Sequence, residues 1–68
     1  MLDGSQLRIL RRRHGWTQQV LAEAVGVYQP YISKLELGKH SEVSTHRLAA
    51  LAAALGVPME RLVRKGRT

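Results

Sequence analysis

The chain has 68 residues and no cysteine, and its 11 Lys+Arg against 5 Asp+Glu give a formal charge of +6. This allows one domain rather than two, and it excludes disulfide scaffolds, Cys-ligated zinc and thiol chemistry. With 44% hydrophobic residues the chain is too apolar for a disordered basic tail, and no apolar run approaches the roughly 20 residues of a membrane span. Residues 1–5 (MLDGS) lack the pattern of a signal peptide. A soluble, cytoplasmic domain with a polyanionic partner is expected, nucleic acid before membrane.

Glycines separate five stretches of helical spacing, and no alternating run bounded by hairpin signals competes with them. The first expected helix covers residues 5–14, with Leu7 and Leu10 inward, Ser5 as its N-cap and Gly15 at its end. Residues 1–4 read as an N-terminal arm. The second helix covers residues 18–25 after a Thr17 cap, with Leu21, Ala22 and Val25 inward. The third covers residues 29–37, with Ile32 and Leu35 inward and Gly38 as its stop. The fourth covers residues 45–55 behind a Ser44 cap, with Leu48, Leu51, Ala52 and Leu55 inward. A short fifth helix covers residues 58–64, where Pro58 suits the first turn. Residues 65–68 read as a basic tail or linker stump, beyond a domain at 5–64.

The most informative segment is residues 18–37, QQVLAEAVGVYQPYISKLEL. Two short helices here are joined by a tight turn containing Gly26. A small residue, Ala22, stands where the helices cross, and Leu21, Val25, Val27, Ile32 and Leu35 are spaced to lock them together. This is the pattern of a helix-turn-helix. No nucleophile–base pair, phosphate-cradling glycine loop or metal cluster accompanies it, so neither catalysis nor a cofactor is expected. His14 and His46 read as surface or boundary residues.

The segment resembles the helix-turn-helix of the Cro and phage-repressor family, also called XRE-like. The resemblance runs from residue 7 to residue 63. It rests on Leu10-Arg11, Gly15-Trp16-Thr17-Gln18, Leu21-Ala22-Glu23, Val25-Gly26-Val27, the stretch from Gln29 to Glu36, Gly38-Lys39 and the stretch from Leu51 to Val57. It implies an all-α, lambda-repressor-like bundle of four or five helices whose third helix enters the DNA major groove. The implied function is sequence-specific binding of double-stranded DNA by a transcriptional regulator, as a repressor. An antitoxin-type or other protein-interaction module on the same fold is the alternative, with Val20, Tyr28 and Leu37 as its adhesive positions.

Residue roles follow from the resemblance. Gln29, Pro30, Ser33 and Lys34 become the base-contacting face, since a Gln amide matches adenine and a Lys reaches guanine. Thr17, Gln18, Tyr28, Tyr31, Lys39 and His40 become phosphate contacts, with Tyr31 also able to pack on a thymine methyl or against the second helix. Arg11 and Glu36 become a partly buried ion pair, while Arg12 and Arg13 are expected to be solvated. Departures from the family pattern also matter. Tyr28 stands where Ser or Thr usually caps the recognition helix, and Pro30 biases Gln29 away from helical geometry, making Gln29 itself a candidate cap. Glu42 places a negative charge in a loop expected to face phosphate. The expected working unit is a weak homodimer on a near-palindromic operator, with Val57, Pro58 and Met59 as dimer contacts. DNA, a protein partner or a C-terminal region would strengthen it, and action at the nucleoid is expected.

Overall fold

The computed structural model describes residues 1–40 and 42–64. Its elements are α1 (Gly4–Arg13), α2 (Gln18–Val25), α3 (Gln29–Glu36), α4 (Thr45–Leu55) and a closing 3-10 turn (Met59–Leu62). The helices pack around a core that is almost entirely aliphatic. Leu7, Leu21, Ala22, Ile32, Leu35, Leu51 and Leu62 are sealed from solvent, and Trp16, Val25, Val27 and Tyr31 pack on its margin. Among the described residues no helix is long and apolar enough to cross a membrane.

The start of the chain differs from the expected arm. Leu2 is a core residue, 1% exposed. Leu2 and Val63 form an antiparallel bridge. The Asp3 amide donates to the Leu62 carbonyl at 2.8 Å and the Arg64 amide to the Met1 carbonyl at 2.9 Å. The two ends of the domain are thereby tied together. Asp3, rather than Ser5, is the cap of α1, its Oδ1 accepting from the amides of Ser5 (3.1 Å) and Gln6 (3.3 Å). A carboxylate also complements the positive end of the helix.

Gly4 opens α1 because nothing larger fits there. A Cβ at Gly4 would lie 2.2 Å from the Leu35 carbonyl oxygen and 2.9 Å from that of Glu36. The first turn of α1 therefore rests on the last turn of α3.

The α2–α3 corner is built by Gly26, whose φ of +77° is costly for residues with a Cβ. Its geometry lets the Val27 amide close α2 by donating to the Ala22 carbonyl at 2.9 Å. The helix begins at Gln29 with Tyr28 in the cap position, and the Tyr28 side chain makes no cap hydrogen bond. Gln29 is thus the first helical residue and not the cap. The Tyr31 amide reaches the Tyr28 carbonyl at 3.0 Å, closing the first turn without the amide that Pro30 lacks. The last expected helix is shorter and tighter than an α-helix, a single 3-10 turn after Pro58. The expected tail at 65–68 lies outside the described residues.

Candidate nucleic-acid interface

Helix α3 has two unlike faces. Ile32, Leu35 and Glu36 are buried, whereas Pro30 and Lys34 are exposed and Gln29 and Ser33 half-buried. At about 100° per residue the last four share an arc of roughly 140°. They form one continuous outward strip carrying an amide, a pyrrolidine ring, a hydroxyl and an ammonium group.

A chain of polar contacts runs beneath this strip. Arg11 donates through Nε to Glu36 Oε2 at 2.6 Å and through Nη2 to Glu36 Oε1 at 3.1 Å. Its Nη1 donates to the Trp16 carbonyl at 2.6 Å. Glu36 Oε1 also accepts from Gln18 Nε2 at 3.0 Å. The Gln18 carbonyl oxygen in turn accepts from the Gln29 amide. Arg11 and Glu36 are 7% and 8% exposed, a burial tolerable only because every polar atom finds a partner. Among the described residues no buried side-chain nitrogen or oxygen lacks one. The relay joins α1, the start of α2 and both ends of α3, so the Gln29 amide is held before any ligand arrives.

Thr17 caps α2, its Oγ1 accepting from the Val20 amide at 3.1 Å. The other first-turn amides of α2 have no partner within the helix, as at any helix start, and such amides suit an anion. Tyr28 is 85% exposed, an unusual degree for an aromatic residue. Tyr31 is half-buried, and Lys39 and His40 are exposed just beyond α3. Val57 and Met59 are half-buried and packed on the core, which leaves Pro58 as the exposed member of the three proposed dimer positions.

Two cations that the sequence did not single out, Arg8 and Arg47, also lie near α3. Arg8 and Arg12, one turn apart on α1, line a recess of about 330 Å³ with Arg11, Gln18, Ser33, Glu36 and Leu37. Arg12 is exposed, as expected of a solvated residue, and borders the α3 strip. The i, i+4 spacing of Arg8 and Arg12 was the available signal. Arg47, in the first turn of α4, stacks over Tyr31. Apart from Arg11 with Glu36, no Lys or Arg among the described residues lies within ion-pair distance of a carboxylate. The outward charge is free to act at a distance.

The fold and the strip define a DNA-binding helix-turn-helix. The Helix-turn-helix family profile matches residues 7–62, and the chain belongs to that family, in its XRE-type branch. A propionyl-CoA carboxylase regulator of Cereibacter sphaeroides is 41% identical over 59 residues, covering 87% of this chain and 13% of that protein. The restriction-modification controller protein C.AhdI from Aeromonas hydrophila superposes with a TM-score of 0.81 at 33% identity, covering 88% of this chain and 89% of that one. The biofilm master regulator SinR, solved in complex with DNA, superposes with a TM-score of 0.79 at 28% identity, covering 84% and 90%. The chain spans less than half the length of the curated regulators it matches.

Proposed function

We propose that this chain is the operator-reading domain of a transcriptional repressor. It inserts α3 into the major groove of duplex DNA and acts by occupying its site at the nucleoid. Gln29, Pro30, Ser33 and Lys34 read base edges. Thr17, Gln18, Tyr28, Tyr31, Lys39 and His40 hold the sugar–phosphate strands. Two chains bind as a weak dimer on a near-palindromic site.

The observation that carries this reading is the polar relay. The half-buried Gln29 side chain stands at the start of α3, on its outward strip, and is tethered through Gln18 to Glu36. Tethering lowers the entropy lost when that side chain contacts a base, and it fixes the register of a bidentate contact to adenine. Similarity to the HTH-type transcriptional regulator SlrR of Bacillus subtilis, and to SinR bound to DNA, supports the same reading.

Selection from a random duplex pool, followed by binding titrations, tests it. Gln29→Ala and Lys34→Ala should each weaken binding to the selected site by about 1–3 kcal/mol and relax preference at one base pair. Full retention of sequence preference by both variants would place base reading elsewhere on the molecule.

A further inference from the structure

Arg47 is a cation whose position its own helix does not explain. It lies in the first turn of α4, two residues past Thr45. The unpaired amides there make the potential positive, so a cation is disfavoured. No carboxylate among the described residues is within ion-pair distance of it. Its guanidinium carbon instead sits 5.5 Å from the centroid of the Tyr31 ring. The His40 ring lies 5.7 Å from the same tyrosine, tilted by 60°. Three segments thus converge on Tyr31: α3, the loop after it and the start of α4. Arg47 and Tyr31 border a recess of about 330 Å³ whose other walls are Gly26, Val27 and Tyr28.

The position of Tyr31 on α3 indicates what the cluster meets. Gln29 and Tyr31 are two residues apart, so they point about 160° away from each other around the helix. Gln29 leans toward the start of α2 through Gln18, and Tyr31 leans toward the start of α4 through Arg47. A helix lying in a major groove has one sugar–phosphate strand on each flank. If Thr17 and Gln18 meet one strand, the Tyr31 flank faces the other.

We propose that Arg47 is a phosphate anchor for this second strand, held in place before binding by stacking on Tyr31. The proposal rests on the reading that α3 enters the major groove. A stacked guanidinium keeps its planar edge of N–H donors free, and that edge matches two phosphate oxygens at once. Stacking also removes much of the rotamer freedom that a long side chain loses on binding.

The test uses the selected operator duplex, a random duplex and a set of operator duplexes each carrying one neutral methylphosphonate. Arg47→Met should bind both normal duplexes about tenfold more weakly, with the slope of log affinity against log salt shallower by about one unit. Arg47→Lys should keep the wild-type slope while losing part of the affinity, because it retains charge without the fork. One methylphosphonate should weaken wild type and leave Arg47→Met no weaker than on the normal operator. It should lie on the strand opposite the one whose neutralisation is silent in Thr17→Ala. An Arg47→Met protein with wild-type melting, an unchanged salt slope and an undiminished response to every methylphosphonate would overturn the anchor. If wild type itself ignores duplex DNA, the major-groove reading falls first and the anchor with it.

Discussion

Replacing Arg11 by Met tests how much of the fold depends on the polar relay. Met keeps most of the buried stem but removes all three guanidinium hydrogen bonds. Glu36 then remains a buried carboxylate, its side chain 3% exposed, with the Gln18 amide as its remaining partner. Stranding a charge in this way costs about 3–5 kcal/mol. A domain of this size is stabilised by about 3–10 kcal/mol in total, so the loss is a large share of the whole. At about 4–8 °C per kcal/mol, the melting temperature should fall by at least about 12 °C. Arg11→Met combined with Glu36→Leu removes both charges and should recover most of that loss. Recovery should stop about 1–2 kcal/mol short, because the Trp16 carbonyl and the Gln18 amide each lose a partner. Urea and thermal melts of wild type, both single variants and the double variant form the thermodynamic cycle. Single-variant losses below 1 kcal/mol that simply add in the double variant would refute the argument.

Leu2→Ala should cost about 2–5 kcal/mol, as for a sealed core leucine, and melting at the wild-type temperature would mean that residues 1–3 are not part of the core. Gly4→Ala should also lower the melting temperature, although Ala is intrinsically the better helix former by about 1 kcal/mol; a rise would show that α1 does not press on the end of α3. Lys39→Ala should weaken binding to every duplex alike and make the salt slope shallower by about one unit, whereas an altered base preference would move Lys39 into the groove. Sedimentation should find mostly single chains in free solution and two chains per selected operator, which one chain per duplex on a site without dyad symmetry would contradict. Half-sites about 34–36 Å apart compare with domain extents of 35 × 22 × 20 Å, so two copies on such a site would touch only with their long axes near the DNA axis.

The helices whose ends carry strong local signals were readable from sequence. For α2 and α4, Thr17 and Ser44 cap the start, and Gly26 and Gly56 take the left-handed conformation at the end. All four act within a few residues of themselves. The start of α1 was ambiguous locally because Asp3 and Ser5 are both good caps. The choice is made by a contact distant in sequence, where Gly4 meets the carbonyls of Leu35 and Glu36. Leu2 belongs to no helical period, so its burial against the far end of the chain left no mark in the pattern. Arg47 was invisible for a similar reason. Its partner Tyr31 lies across a loop, and cation–ring stacking has no sequence spacing of its own. The outward strip of α3 was legible because four residues at helical spacing define a face whatever lies around them.

The relay also constrains how such a domain can change its target. Pro30, Ser33 and Lys34 make no side-chain hydrogen bond to the rest of the molecule among the described residues, so replacing them alters the surface presented to a groove and little else. Gln29 differs. Its amide is the outer link of the chain Arg11–Glu36–Gln18–Gln29, and any replacement leaves Gln18 without that donor. Gln18 stands where a phosphate contact is proposed, so a change of base preference at position 29 should alter the phosphate grip as well. Retargeting through Pro30 and Ser33, which carry no charge, should therefore leave binding to random duplex nearly unchanged, while retargeting through Gln29 should shift specific and nonspecific binding together. In a core this small the buried ion pair that braces α1 against α3 also orients, through Gln18, the side chain proposed to read a base. On that proposal stability and specificity share Glu36, and a change there should move both.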